Sequence, residues 1–207
     1  MIALCGLHHP HADQGAFTVA QLRDFKATGG ERNREVGARF EWMREDLLTV
    51  VGGNFYFDTP VPVRFRSNNV LALTRDERGY LLLDTNMLST SGDPRMTIQE
   101  NFWIVLGDPL DLDCPPHGRL VSAEYANGDR LRVEFIPDLD TNALSARYPD
   151  AELDGAWAQL PECLTAVEIQ MRVGGADIDF GPRETRLDGG VMRNCFSSRC
   201  GVGVQIG

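Results

Sequence analysis

The sequence predicts an α+β fold in which two N-terminal helices pack on a largely antiparallel β-barrel or β-sandwich. Three observations predict it. Apolar residues recur at helical spacing up to Val50. From Gly52 onward, short apolar runs alternate with turn residues. The 21 Gly and 11 Pro suit a chain of many strands joined by turns. One domain over residues 1–207 is the economical reading, with a helical segment at 1–51 and a β-rich body at 52–207.

The first helix is marked by Thr18-x-x-Gln21, a capping box in which each side chain satisfies a free backbone N–H of the first turn. Phe17 and Leu22 stand where a hydrophobic staple would, and Gly29-Gly30 ends the segment. The second helix is predicted from Glu31 to Val50. Val36, Phe40, Met43, Leu47 and Val50 form one apolar stripe, and Glu35 and Arg39 stand four apart on the other side. Gly37 weakens that helix by about 1 kcal/mol against alanine.

Strands follow at 54–58, 61–65, 70–74 and 80–84, the last two joined as a hairpin around Arg75-Asp76-Glu77-Arg78-Gly79. Phe102–Leu106 is continuously apolar and is expected centrally in a sheet. For the hairpin of 120–125 with 131–136 the register can be argued. A two-residue Asn127-Gly128 loop would set apolar residues against Arg130, Arg132 and Glu134. A three-residue loop, Ala126-Asn127-Gly128, sets Ala123 against Leu131 and Val121 against Val133, with Gly128 in the left-handed position the turn requires. Residues 138–161 are less regular, with one helical turn near 151–160. Strands resume at 164–173, 176–180, 191–196 and 202–206.

Net charge is −10, with 11 basic and 13 acidic residues in 1–100 against 9 and 17 in 101–207. Such a field repels phosphate backbones and anionic lipid, so nucleic acid and membrane are not expected as partners. Five cysteines, an odd number in a chain large enough to need no staples, favour a reduced, cytoplasmic location; a Cys195–Cys200 disulfide is the alternative for an oxidising one. The opening Met-Ile-Ala-Leu-Cys-Gly-Leu has no basic n-region and too short an apolar run for a signal peptide.

The residues suited to chemistry are few. His9 and His11, with Asp13 behind them, would share one face if the preceding apolar segment is a strand, as a divalent ion requires. The pair is similar, over this short string alone, to the metal pairs of amidohydrolases and cupins; neither pattern continues downstream, and no family is assigned. Cys114 and His117 have a zinc-compatible spacing, and Asp111 and Asp113 add hard oxygens. The candidate metal set is therefore His9, His11, Asp13, Asp113, Cys114 and His117, holding a divalent metal such as zinc. The plain alternative is a polar N-terminal segment and a solvated surface turn. Asp138/Asp140 and Asp177/Asp179 repeat the Asp-x-Asp spacing without the glycine and glutamate of an EF-hand loop. Gly201-x-Gly203 has too little chain after it to open a nucleotide-binding helix, and no nucleophile elbow occurs.

The leading expectation is a non-catalytic binding domain whose ligand is a basic protein partner or a small molecule. The competing one is a zinc-type hydrolase in which the metal lowers the pKa of bound water. A third is a structural subunit whose edge strands pair with neighbours.

Overall fold

Leu164–Val173 alternates apolar and polar residues from Val167 onward, and this strand is the spine of the fold. A computed structural model describes residues 35–40, 44–115, 118–151 and 154–207. In chain order the strands are β1 (Glu35–Arg39), β2 (Leu47–Val51), β3 (Asn54–Phe57), β4 (Val61–Phe65), β5 (Asn68–Arg75), β6 (Leu81–Asn86), β7 (Thr97–Gln99), β8 (Phe102–Leu106), β9 (Asp111–Asp113), β10 (Leu120–Glu124) and β11 (Arg130–Leu139). Helices α1 (Thr141–Arg147) and α2 (Asp154–Trp157) follow. The chain continues through β12 (Leu164–Val173), β13 (Ile178–Phe180), β14 (Thr185–Leu187), β15 (Gly190–Met192), β16 (Phe196–Ser198) and β17 (Val202–Ile206).

Two open sheets result. The first runs β1-β8-β7-β6-β5-β4-β17. The second runs β9-β10-β11-β12 and then forks, because β12 is long enough to take two neighbours on one edge. Residues 165–169 pair in parallel with β2, which leads on to β3 and β16. Residues 171–173 pair antiparallel with β13, which leads on to β14 and β15. The sheets share an apolar core that includes Val63, Leu71, Leu83 and Trp103 from the first and Val121, Leu131, Val133, Val167 and Ile169 from the second. On the far face of the second sheet, α1 and α2 cover a smaller core of Leu48, Val50, Phe55, Leu144, Trp157 and Ala166. Asp140 caps α1, its carboxylate accepting the N–H of Ala143 at 2.7 Å.

This corrects the expected α+β architecture. The protein is mostly β, its sheets do not close, and the two helices among the described residues lie late in the chain. The predicted helix from Glu31 to Val50 is replaced by β1 and β2. Its stripe has helical spacing, but all five residues of β2 are buried and the strand serves both cores at once, Leu47 and Val51 on one side, Leu48 and Val50 on the other. A strand apolar on both faces carries no alternation, so its periodicity is ambiguous. Gly37 belongs to β1, where a Cβ would fall 2.8 Å from the Trp103 carbonyl oxygen. On the backbone, Glu35 and Arg39 stand opposite Leu106 and Phe102 of β8. The helix expected at Thr18 lies outside the described residues.

Other expectations hold. β10 and β11 set Ala123 against Leu131 and Val121 against Val133, and Gly128 has φ 86°. β4, β8, β12 and β17 have the expected bounds. β8 is bonded on both sides, yet Phe102 is exposed, so the strand is half-buried rather than fully central. Helix α1 was not anticipated. No helix among the described residues is long and apolar enough to cross a membrane.

The C-terminal segment has one further feature. β16 pairs in parallel with β3, and β17 in parallel with β4, at one constant separation of 141 residues. Residues 194–207 thus run beside 53–66 from the second sheet into the first. The bends match as well: left-handed Gly53 stands beside Asn194, Asp58 beside Arg199, and Arg66 beside Gly207. Two strands can stay bonded through a bend only if both bend at the same register, which accounts for non-glycine residues at positive φ here.

A candidate binding cleft at the fork of the second sheet

Where the two branches part, they leave a cleft of about 1010 Å3 on the helix-covered face. Its parts come from five separate regions: the β2–β3 turn, the end of α1, β12, the β13–β14 loop, and the turn before β16. The β2–β3 turn is held by Asn54, which is wholly buried. Its amide donates to Gly52 O at 2.9 Å and Thr185 Oγ1 at 3.1 Å, and its Oδ1 accepts the N–H of Cys195 at 3.2 Å. One side chain therefore ties both branches together. Gly53 is needed beside it, since a Cβ there would lie 2.0 Å from the Arg183 carbonyl oxygen.

The inner wall is a fixed charged group. Glu168 Oε1 accepts from Arg147 Nε at 2.7 Å and from the Tyr148 hydroxyl at 2.6 Å. Burial raises the Tyr148 pKa, and the adjacent Glu168 charge raises it further, so the phenol remains a proton donor. The hydrogen bond to Glu168 likewise pushes Arg147 upward. Glu168 stands directly opposite Glu134 in the β11–β12 ladder, an unfavourable pairing of like charges. Each carboxylate takes a separate arginine, Glu134 from Arg132 and Glu168 from α1. The floor adds Phe55, whose ring meets that of Tyr148 edge-on at 5.0 Å.

The outer rim carries both signs. Arg186 donates twice to Glu184, at 2.6 and 2.8 Å. Arg183 lies 3.6 Å from Asp150, and both side chains are largely exposed. Asp179 also lines the cleft, as does Arg193, which is exposed and forms no ion pair with a described residue. These rim pairs lie at the solvent boundary and hold little energy, so a polar ligand can exchange partners with them without breaking a buried pair.

The candidate metal residues are not gathered here. His9, His11, Asp13 and His117 lie outside the described residues. Asp113 is exposed on β9, paired with Ser122 of β10, and Cys114 packs half-buried against the larger core. Among the described residues no group of three or more His, Cys, Asp or Glu is placed to hold a metal. Asp140 is used as a helix cap, and Asp177 accepts the Gly189 N–H at 2.7 Å. Cys195 and Cys200 are free thiols. Nothing in the spacing of Arg147, Glu168, Arg183 and Arg193 announces the cleft, because its walls are far apart in the chain; the double glycine at 52–53 is its one local trace.

No protein-family model matches the chain, and the searches of curated proteins and of solved structures likewise return no match.

Proposed function

We propose that the chain is a non-catalytic binding module and that its ligand is a small polar molecule presenting groups of both charge signs. The observation that carries this reading is the cleft at the fork. Its volume is at the upper end of ligand sites, which run to about 1,000 Å3. Its wall of Glu168, Arg147 and Tyr148 is held by two hydrogen bonds to one carboxylate oxygen, while on the exposed rim Arg193 has no ion pair with a described residue and the solvated Arg183–Asp150 pair can open at little cost. A preorganised wall with an adaptable rim suits recognition, since little ordering entropy remains to be lost on binding. Of the two ligand classes suggested by the sequence, the cleft favours the small molecule over the basic protein partner, because its own charges balance locally despite the overall −10.

The test is a protein-observed NMR titration with a panel of zwitterionic, dicarboxylic and cationic small molecules at millimolar concentration. A zwitterionic hit should shift the backbone resonances of 148–151, 181–184 and 193–194, and Arg183→Glu should abolish that shift. Absence of any response around the cleft from the whole panel would sink the proposal.

A further inference from the structure

The outer edge of the C-terminal segment, residues 194–207, bears on partners and is independent of the cleft. We infer that this edge is a strand-acceptor site for an acidic, extended segment of another protein, which adds in parallel as a third layer beside 53–66 and 194–207. Three observations lead there.

The first is hydrogen-bonding capacity. Phe55 N–H donates to Cys195 O at 2.8 Å and Arg199 N–H to Phe57 O at 3.1 Å, so residues 195, 197 and 199 turn their backbone groups inward to β3. Arg66 N–H donates to Ile206 O at 2.7 Å, so 202, 204 and 206 do the same toward β4. By the alternation of a strand, the N–H groups of Phe196, Ser198, Gly203 and Gln205 point away, to an edge with no strand beside it among the described residues.

The second is the absence of protection. Natural edges are blunted by charge, proline or brevity. β1 carries Glu35 and Arg39, and β9 has aspartate at both ends. β16, itself three residues long, and β17 hold no charged residue and no proline; Arg199, at the bend between them, is the one charge on an edge that together they extend across both sheets.

The third is local charge. In a protein of net charge −10, the ribbon of residues 53–66 and 194–207 carries three arginines against one acid, Asp58, which stands beside Arg199. Arg64, Arg66 and Arg199 stand on this paired ribbon, and Arg199 is exposed with no ion pair among the described residues. A basic stripe in an acidic molecule selects an acidic partner and steers it to this place. The matched bends add a geometric condition: the incoming strand needs a residue tolerant of positive φ opposite Arg199, and aspartate is one. A second copy of this chain meeting the edge across a two-fold axis would run antiparallel and miss that bend. Main-chain bonds would supply affinity, and alternate side chains specificity.

The experiment uses the full chain and a synthetic peptide reproducing residues 194–207 with Arg199→Asp and Gln205→Glu. A second peptide, with Arg199 kept and Gln205→Lys, is the basic control. By fluorescence anisotropy the acidic peptide should bind about tenfold more tightly than the control or better, and weaken as salt is raised. By hydrogen exchange the amides of Phe196, Ser198, Gly203 and Gln205 should exchange fast in the protein alone and slow about tenfold with the acidic peptide. Gln205→Pro removes one outward donor without touching the inner ladder and should abolish binding; should it fold poorly, Arg199→Glu serves instead, weakening the acidic peptide and not the control. Slow exchange of these four amides in the protein alone, equal binding of both peptides, or self-association through this edge would each overturn the inference.

Discussion

Arg95 Nε donates to the carboxylate of Asp129 at 2.8 Å, and its guanidinium lies over the Tyr125 ring, 4.4 Å from the ring centre. The contact joins the β6–β7 loop of one sheet to the β10–β11 hairpin of the other. Asp129 is wholly buried and also accepts from Ser89, from Asn127 at 2.8 Å and from the Gly174 N–H at 2.8 Å. A buried carboxylate is tolerable only when so many donors replace its water. Asp129→Ala should therefore cost about 3–5 kcal/mol in urea unfolding, because Arg95 and the turn amides lose their acceptor together. A loss within the range of ordinary surface changes would contradict this.

The same carboxyl makes a pH prediction. Burial acts to raise its pKa, but the hydrogen bonds from Ser89, Asn127, Arg95 and Gly174 outweigh burial, and the value lies below the ordinary one. A folded-state pKa below the unfolded one contributes stability above the unfolded value, and that contribution fades as pH falls through the folded value. Urea midpoints should drop on the acid side of the unfolded carboxyl pKa. In Asp129→Asn, already weaker at neutral pH, the drop should be shallower; identical slopes would refute the assignment.

Among the described residues Trp157 is the largest fully buried side chain, edge-on to Phe55 at 4.9 Å and to Phe196 at 6.3 Å. Its indole N–H has no hydrogen-bond partner among the described residues. Removing the ring should cost about 3–5 kcal/mol in Trp157→Ala and undock α2. Trp157→Phe should cost less than half as much, because an unpaired donor leaves the interior with the lost contacts. Thermal unfolding of the two variants side by side checks the ordering.

The cysteines differ in reach. Cys163, Cys195 and Cys200 are exposed, whereas Cys114 packs against the core. A brief pulse of alkylating reagent followed by peptide mapping should label the first three before Cys114. Cys195 and Cys200 flank β16, whose extended backbone, rising about 3.3 Å per residue, holds them beyond the roughly 7 Å Cα separation a disulfide allows. Mild oxidation should leave both thiols titratable unless β16 leaves β3.

Asn54 gives the last prediction. Asn54→Asp keeps the acceptor for Cys195 but loses the donors to Gly52 and Thr185, and brings a charge to a wholly buried site. It should destabilise more than Asn54→Ala, each by about 1–3 kcal/mol or more. In both variants hydrogen exchange should speed first at the β2–β3 turn and around Cys195, where the fork is tied.

What the amino-acid sequence determined by itself was local. The register of β10 with β11 follows from one rule: apolar residues must share a face, and only Gly128 fits the left-handed turn position. The strands at 61–65, 164–173 and 202–206 follow from apolar patterning and flanking turn residues, all within a few positions. Tertiary structure decided the rest. Leu47–Val51 became a strand because it is enclosed on both faces, a condition that erases its alternation. The fork, the cleft and the ribbon depend on pairings between residues more than a hundred positions apart, such as Phe55 with Phe196 and Thr165 with Leu47. Asp113 and Cys114 could be recognised as metal-ligating types, but ligation requires convergence in space, and spacing along the chain carries no record of which distant segments meet.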